Sequence, residues 1–257
     1  MAFGLPAQGS AHAPGIDFVL QTEHWGILFL FLLFFGYFVV ALVRFRQGAN
    51  ARASYAGMAS LWSVYIVIAI ALVECVLLAA FEMPVWRDRV VNLPSPDEAT
   101  VVRVVAEQFA WNVHYPGPDG RFGRTALDLI SPDNPLGLDR GDDAARDDVT
   151  AINELVVPVD RPVLIRLTSK DVVHSFGLYE MRVKQDAIPG ADVPVWFVPT
   201  VTTAEMRTKL GRDDFDYEIS CSQLCGLAHY RMRGLLRVTT DAEFRAYLAE
   251  EARVASR

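Results

Sequence analysis

Two long apolar runs near the N-terminus restrict this chain more than any other feature. Residues 25–43 read WGILFLFLLFFGYFVVALV without a charged side chain, and residues 61–81 read LWSVYIVIAIALVECVLLAAF with one, Glu74. A helix needs about 20 apolar residues to cross the hydrocarbon core of a bilayer. A cleaved signal peptide is excluded for the first run, because no basic residue precedes it and no small-residue cleavage site follows. The sequence therefore predicts two transmembrane helices.

Basic residues predict the orientation of this hairpin. Arg44, Arg46 and Arg52 lie between the two runs, whereas residues 1–24 contain no Lys or Arg. Short loops rich in Lys and Arg stay on the cytoplasmic side of a membrane. We therefore expect both termini outside the cytoplasm. In a bacterium this places the protein in the inner (cell) membrane with its C-terminal domain in the periplasm.

Glu74 lies near the middle of the second run. A carboxyl group at that depth is costly and normally faces a partner, a water-filled path or the inside of a helix bundle. Two interpretations stay open: contact with a neighbouring subunit, and a place on a proton path. Both require a larger membrane partner beside the hairpin.

The remainder of the chain is strand-like. Short segments rich in β-branched and aromatic residues, separated by turn residues, occur at 101–115, 154–168, 193–200, 215–220 and 234–239. Without amphipathic helices between them, such segments favour a β-sandwich or a Greek-key barrel. One further helix is predicted at residues 241–253.

Residues 116–153 break this pattern because they are dense in Gly, Pro and Asp. We interpret them as a long surface insertion between strands. Their aspartates lack the spacing of an EF-hand calcium loop. A solvated acidic loop is favoured for these residues, which are Asp139, Asp142, Asp143, Asp147 and Asp148.

The overall charge limits the choice of partner. The formal net charge is −7 at pH 7, whereas nucleic-acid binding requires clustered Lys and Arg, so no nucleic-acid partner is expected. An acidic outer domain favours a basic protein partner, because opposite fields speed encounter.

Four sulfur or imidazole side chains lie within CSQLCGLAHYRM: Cys221, Cys225, His229 and Met232. The two cysteines alone are compatible with a disulfide in an oxidising compartment. Methionine beside thiolate and imidazole favours copper, since zinc seldom binds thioether sulfur. A mononuclear blue-copper site uses a single Cys. The second Cys therefore favours a two-copper site with bridging sulfurs.

A two-copper site needs a second histidine, and His174 is the candidate. It follows the strand-like VLIRLT and precedes another apolar stretch, so it fits a loop at the same end of the barrel. The other histidines lie before the first membrane run or directly after the aromatic strand.

These motifs resemble the CuA-containing subunit II of cytochrome c oxidases, which are haem–copper oxidases. CSQLCGLAHYRM is similar to the family's dicopper loop, C-x-x-x-C-x-x-x-H-x-x-M, DVVHSFGLYEMRVKQDAIPG to its upstream histidine segment, and QFAW to its aromatic strand. The resemblance covers essentially the whole chain. It implies a membrane-anchored all-β protein with a two-helix transmembrane hairpin, a cupredoxin-like Greek-key β-barrel and a short C-terminal helix.

The resemblance also implies domain boundaries and metal ligands. The expected parts are an extracytoplasmic segment 1–24, a hairpin 25–81, a linker 82–100, a CuA domain 101–240 with its insertion at about 116–153, and a C-terminal helix and tail 241–257. The implied ligand set is Cys221 and Cys225 as bridges, His174 and Met232 on one copper, and His229 with the backbone carbonyl of Gln223 on the other.

Two positions depart from the family pattern. The third residue of the loop is usually a Glu that helps to hold magnesium against the catalytic subunit, but here it is Gln223. A neutral amide is a weaker ligand for hard cations, so magnesium is disfavoured. The aromatic strand usually opens Q-W-x-W, and its first Trp receives the electron. Phe109 replaces that Trp while Trp111 is retained, so either is a candidate for electron entry, with a core role the equal alternative for Trp111.

The resemblance thus implies the electron-entry subunit of a respiratory terminal oxidase, a proton-translocating oxidoreductase complex. It would accept electrons from cytochrome c or a similar donor and pass them to haem in catalytic subunit I, beside other oxidase subunits, for reduction of O2 to water. The chain itself only transfers electrons. One alternative is the CuA subunit of a haem–copper nitric oxide reductase. A remote alternative is a membrane-anchored copper chaperone or thiol oxidoreductase.

Overall fold

The computed structural model describes residues 4–49, 52, 55 and 61–255 of the chain. It divides into two compact units. Gly15–Asp88 forms the first unit, which is helical, and Phe3–Pro14 together with Arg89–Arg257 forms the second, which is mainly β.

Two apolar helical runs make up most of the first unit. Helix α1 (Ala13–Arg44) has 32 residues, and a second run, Trp62–Val91, has 30. Both are long and apolar enough to cross a membrane, and their most apolar stretches are not buried. A helix that is apolar on all sides requires an apolar solvent. The prediction of two membrane-spanning helices is confirmed, and both extend beyond the predicted limits.

The second run is not a uniform α-helix. Helix α2 (Trp62–Leu77) leads into a π-helical turn at Leu78–Glu82, then α3 (Met83–Trp86) and another π-helical turn at Arg87–Val91. Pro84 lies in the first turn of α3, where its ring removes one backbone donor from the helical pattern. A π-helical turn, whose hydrogen bonds span five residues, is one way in which a helix accommodates a proline.

The connection between the helices lies largely outside the described residues. Arg44, Arg46 and Arg52 are described, but their contacts do not indicate a side of the membrane. The orientation inferred from these arginines therefore stays a prediction.

The second unit contains two five-stranded sheets. The first has the order β3 (Val149–Ile152), β2 (Ala110–Tyr115), β1 (Thr100–Glu107), β5 (Val163–Ser169) and β8 (Val193–Phe197). The second has the order β4 (Glu154–Pro158), β10 (Arg233–Thr239), β9 (Tyr217–Cys221), β6 (His174–Leu178) and β7 (Val183–Ala187). Helix α4 (Thr203–Leu210) precedes β9, and helix α5 (Asp241–Ala255) follows β10.

Each sheet contains one parallel pair, β1 with β5 and β4 with β10. Parallel neighbours cannot be joined by a tight hairpin, so the chain must cross between the layers. Alternate residues of the strands point into the space between the sheets, as Val102 and Val104 of β1 and Leu236 and Val238 of β10 do. The core therefore lies between the two sheets.

The predicted class, with apolar helices, a β-domain and a C-terminal helix, is confirmed. Residues 101–115 form a hairpin of two strands rather than one, with a cis peptide between Gln108 and Phe109 at its turn. Three strands and one helix are absent from the sequence prediction: β3, β6, β7 and α4.

The interpretation of the insertion as a solvated acidic loop is wrong for Asp148. Its carboxylate and the ring of His114 on β2 are both fully buried, and Oδ2 accepts a hydrogen bond from Nε2 at 2.6 Å. The same oxygen accepts from the N–H of Gly123 at 2.8 Å. Asp148 thus attaches the insertion to the first sheet, and the next residue begins β3, in a range that the sequence assigns to the insertion.

Candidate metal centre

Two strands of the second sheet bring the predicted ligands together. His174 is the first residue of β6 and Cys221 is the last of β9, and the two strands pair with Phe176 opposite Cys221. The chain then forms a loop that ends at Met232, directly before β10. His174 is therefore on a strand rather than on a loop, although it does lie at the end of the sandwich that the sequence predicts.

The sulfur atoms lie at the centre of the cluster. Sγ of Cys221 is 3.8 Å from Sγ of Cys225, which is far beyond a disulfide bond of about 2.05 Å, and both thiols are free. The three groups His174, Cys221 and Cys225 each offer a ligand atom within 4.8 Å of the others. No second group of this kind occurs among the residues that the structure describes.

The remaining predicted ligands surround the two sulfurs. Sγ of Cys221 lies 3.9 Å from Nδ1 of His174 and 3.2 Å from the carbonyl oxygen of Gln223. Sγ of Cys225 lies 3.5 Å from Nδ1 of His229 and 3.7 Å from Sδ of Met232. All six residues assigned from the sequence thus converge at one point.

The cluster lies just below the protein surface. His174, Cys225 and Met232 are buried, whereas Cys221 and His229 are half-buried. Outside them, the same loop exposes three large side chains, Leu224 at 77%, Leu227 at 98% and Tyr230 at 73%.

Asp171 orients His174 from outside the ligand set. Its Oδ1 accepts a hydrogen bond from Nε2 of His174 at 2.9 Å, which leaves Nδ1 facing the sulfurs. Burial acts to raise the pKa of Asp171, but hydrogen bonds from His174, Gln108 and Val172 outweigh it and lower the pKa below its ordinary value. The sequence analysis missed this residue, and its only signal was an acid three residues before the histidine.

Burial and the neighbouring Cys221 thiol raise the pKa of Cys225 to about 11. Without a metal the thiol of Cys225 therefore keeps its proton at neutral pH. A metal ion that binds here must displace this proton, because thiolate is the form that coordinates metals.

The β1–β2 hairpin supports the ligand loop. Nε2 of Gln108 donates a hydrogen bond to the carbonyl oxygen of Cys225 at 2.6 Å. Gly226 has a φ of 137° and lies so close that a Cβ there would be 2.7 Å from Nε2 of Gln108 and 3.1 Å from Cζ of Phe109. The sequence analysis did not identify Gln108 or Gly226, since this contact joins segments that are far apart in the chain.

The outer β-domain of the chain matches a known protein family. A model of the family "Cytochrome C oxidase subunit II, periplasmic domain" matches residues 100–239, which is more than half of the chain. The chain belongs to the cytochrome c oxidase subunit II family. The resemblance seen in the sequence is confirmed.

Individual relatives agree with this family. The chain is 36% identical to the alternative cytochrome c oxidase subunit 2 of Bradyrhizobium diazoefficiens over 157 residues, which cover 61% of this chain and 52% of that protein. It is 27% identical to the cytochrome c oxidase subunit 2 of Cereibacter sphaeroides over 266 residues, covering 95% of this chain and 80% of that protein. The chain thus spans about half the length of the Bradyrhizobium relative.

A solved structure is also similar. The periplasmic domain of subunit II of cytochrome oxidase from Bradyrhizobium japonicum aligns with a TM-score of 0.43 and 28% identity, covering 63% of this chain and 99% of that one.

Family membership implies copper binding, and the donor atoms fit that metal. Thiolate and thioether sulfur are soft ligands that select copper, and imidazole also suits it. Five buried or half-buried side chains carry such donors, namely His174, Cys221, Cys225, His229 and Met232. Nδ1 of His174 is already turned inward by Asp171. The residues present therefore suit the copper that the family binds.

The two aromatic candidates for electron entry have different environments. Trp111 is fully buried and packs edge-on against Phe176, with ring centroids 5.3 Å apart, and against His174 at 6.2 Å. Phe109 is half-buried beside Gly226 of the ligand loop. Trp111 is therefore a core aromatic without surface for a docked protein, whereas Phe109 is closer to solvent.

Glu74 lies on α2 in the membrane hairpin. It lines a cavity of about 440 Å³ between α1 and α2, and Glu23 and Glu82 line the same cavity. The hairpin alone thus leaves this carboxyl group beside apolar side chains and two other acids. Its contact with a partner or its place on a proton path stays a prediction.

Proposed function

We propose that this chain is the electron-entry subunit of a haem–copper respiratory oxidase. A dinuclear CuA centre held here would accept electrons from cytochrome c or a similar extracytoplasmic donor, for transfer to haem in the catalytic subunit and reduction of O2 to water. The observation that supports this most is the convergence of four further donor residues on two free thiols in a member of the subunit II family.

Each residue has a defined part in holding the metal. Cys221 and Cys225 would bridge the two coppers, His174 and Met232 would complete one site, and His229 with the carbonyl of Gln223 would complete the other. Three of the six residues lie on or directly beside paired strands, which restrict their movement: His174, Cys221 and Met232. A rigid ligand set changes little between oxidation states, which favours fast electron transfer.

The exposed part of the ligand loop provides a docking surface. Leu224, Leu227 and Tyr230 project from the loop that carries the ligands. Large exposed apolar side chains that lie together mark protein–protein contacts. We propose that the electron donor docks here and that Phe109, rather than Trp111, lies next to the path of entry.

The other predicted partners follow from the membrane anchor. We propose that the hairpin binds catalytic subunit I and other oxidase subunits in a bacterial inner membrane, with both termini outside. Magnesium stays disfavoured at this interface because Gln223 offers an amide where the family usually has a carboxylate.

A thiol oxidoreductase or copper chaperone fits the site less well. Reactive cysteines have lowered pKa values and accessible sulfur. Cys225 is 5% exposed, and its pKa is raised to about 11. The alternative of a nitric oxide reductase subunit is favoured only by Gln223, which removes the usual magnesium ligand.

The test is spectroscopy of the copper-loaded full chain in detergent. We expect two coppers per chain, a purple colour and a seven-line hyperfine pattern in electron paramagnetic resonance. Cys225→Ser should abolish this signal, whereas Cys75→Ser, which removes an exposed thiol of the membrane hairpin, should retain it. A single copper with a four-line pattern would refute the dinuclear centre. Turnover of the assembled complex with O2 and with nitric oxide separates the two oxidoreductase functions.

A further inference from the structure

The outer face of the first sheet contains a cleft that the metal centre does not use. Side chains alternate along β1 and β5, so Arg103 and Arg166, which are register partners, point away from the core. Segments of the insertion and residues 190–192 rise around this face. Together with Val105 they line a cleft of about 480 Å³. This volume is in the range of small-molecule sites.

Three cations and one carboxylate line this cleft: Arg103, Arg166, Lys170 and Asp192. Arg166 is paired with Asp192, with Nε 2.8 Å from Oδ1. Lys170 is paired with Glu107, which approaches it along the sheet. The charges in and beside the cleft therefore leave one cation in excess, and that cation is Arg103.

Arg103 is the distinctive residue of the cleft. Its guanidinium carbon lies 4.4 Å from the ring centroid of Phe122, and in the described part of the chain it forms no ion pair with a carboxylate. Burial lowers the pKa of Arg103 below its ordinary value, and the nearby carboxylates of Asp192 and Asp148, which act in the opposite direction, do not restore it. A half-buried arginine in this position is ready to bind an anion.

Three large apolar side chains also line the cleft. Leu136 is buried, whereas Ile130 is 43% exposed and Leu127 is 88% exposed at the rim. Large apolar side chains beside an unpaired guanidinium suit a ligand that has both a charged group and an apolar body. The hydroxyl group of Thr125 provides an additional donor in the lining.

We propose that this cleft binds a small organic phosphate, with the phosphoryl oxygens on Arg103 and on Nη1 of Arg166, whose Nε and Nη2 are held by Asp192, and the apolar body against Leu127, Ile130 and Leu136. Phosphate is favoured over carboxylate because a phosphate monoester carries nearly two charges and can accept from two guanidinium groups on adjacent strands. The site is separate from the copper ligands, so it goes beyond electron entry. It also gives the insertion a role, because insertion residues supply these apolar side chains.

The test uses phenyl phosphate as the probe and calorimetric titration of the copper-loaded full chain. We expect saturable binding that weakens about tenfold in Arg103→Gln and in Arg166→Gln, because each loses charge-assisted hydrogen bonds. Arg161→Gln, which removes an exposed charge from the β4–β5 turn, is the matched control and should bind normally. An unchanged copper absorption spectrum shows that each variant is folded. Arg166 is half-exposed, so Arg166→Gln is the variant less prone to disturb folding.

Three further ligands test the chemistry. Inorganic phosphate lacks the apolar body and benzoate lacks the phosphate, so both should bind more weakly than phenyl phosphate. A water-soluble short-chain phosphatidic acid distinguishes the source, because tighter binding than phenyl phosphate indicates a lipid headgroup and weaker binding indicates a soluble ester. The proposal is wrong if phenyl phosphate does not saturate, if benzoate or inorganic phosphate binds equally well, or if both arginine variants bind like the parent chain.

Discussion

Asp171 accepts a hydrogen bond of 2.9 Å from Nε2 of His174, and this contact determines which ring nitrogen faces the sulfurs. Because Nε2 is bound to the carboxylate, Nδ1 is the nitrogen that lies 3.9 Å from Sγ of Cys221. The carboxylate is itself held by the backbone N–H groups of Gln108 and Val172, each at 2.7 Å. A turn before β6 therefore fixes the orientation of a proposed ligand on β6.

The first prediction concerns this contact. Asp171→Asn keeps the size of the side chain but removes its charge, so His174 is held less firmly and is a weaker base. Replacing a hydrogen-bond partner of a metal ligand lowers metal affinity by about 10–100-fold. Copper titration of the full chain, followed by visible absorption, measures the effect. The control is Asp213→Asn, an exposed carboxylate in the turn before β9. Equal affinity in Asp171→Asn and the parent chain contradicts a positioning role.

The second prediction separates a backbone ligand from a side-chain ligand. Gln223 lies near Cys221 through its carbonyl oxygen, at 3.2 Å, and its side chain is exposed. Gln223→Ala should therefore keep both coppers and the hyperfine pattern, because the carbonyl remains. Met232→Ala removes a buried thioether 3.7 Å from Cys225 and should change the absorption spectrum. Loss of copper from Gln223→Ala, measured by metal analysis, means that the amide side chain takes part.

The third prediction tests the approach of the hairpin to the ligand loop. Gly226→Ala places a Cβ 2.7 Å from Nε2 of Gln108 in a backbone conformation that side chains rarely adopt. Such strain amounts to about 1–3 kcal/mol, and we expect a lower melting temperature together with weaker copper binding.

Two controls show which effect dominates at Gly226. Gly211→Ala also has a positive φ, of 63°, but meets no atom within 4 Å, so it reports backbone strain alone. Gln108→Ala combined with Gly226→Ala removes the closest clash and should recover part of the copper affinity. If Gly226→Ala and Gly211→Ala behave alike, the close approach to Gln108 has no effect of its own.

The fourth prediction concerns the link between the sheets. The hydroxyl group of Tyr115 on β2 is buried; it accepts from the N–H of Val156 at 2.7 Å and donates to its carbonyl at 3.1 Å. Tyr115→Phe leaves both backbone groups of β4 without this partner and should lower the free energy of unfolding by about 1–3 kcal/mol.

Tyr247→Phe is the matched control, since that ring packs against Tyr115 at 6.4 Å and its hydroxyl makes no hydrogen bond in the described residues. Chemical denaturation of the full chain measures both variants. The copper spectrum should be the same in each. If the two phenylalanine variants lose equal stability, the link through Val156 is not important.

Elements that depend on local pattern could be predicted from the sequence. The apolar runs and the alternating strands around 101–115 and 154–168 are such elements, as is α5. The sequence also contains the capping box of α4, formed by Thr202 and Glu205. The helix that follows it has only eight residues. The strand β7, VKQDA, could not be predicted because it is a polar edge strand, paired only with β6 among the residues that the structure describes.

By itself the sequence determined the membrane hairpin and the chemistry of the metal ligands. Both depend on residues that are close in the chain: a run of apolar side chains, and Cys221 to Met232 on a single loop. Only the tertiary structure decided what meets that loop. His174 is 47 residues before Cys221, and Gln108 is 117 residues before Cys225. Such contacts depend on strand register and on the packing of one sheet against the other, which no local pattern of residue types specifies.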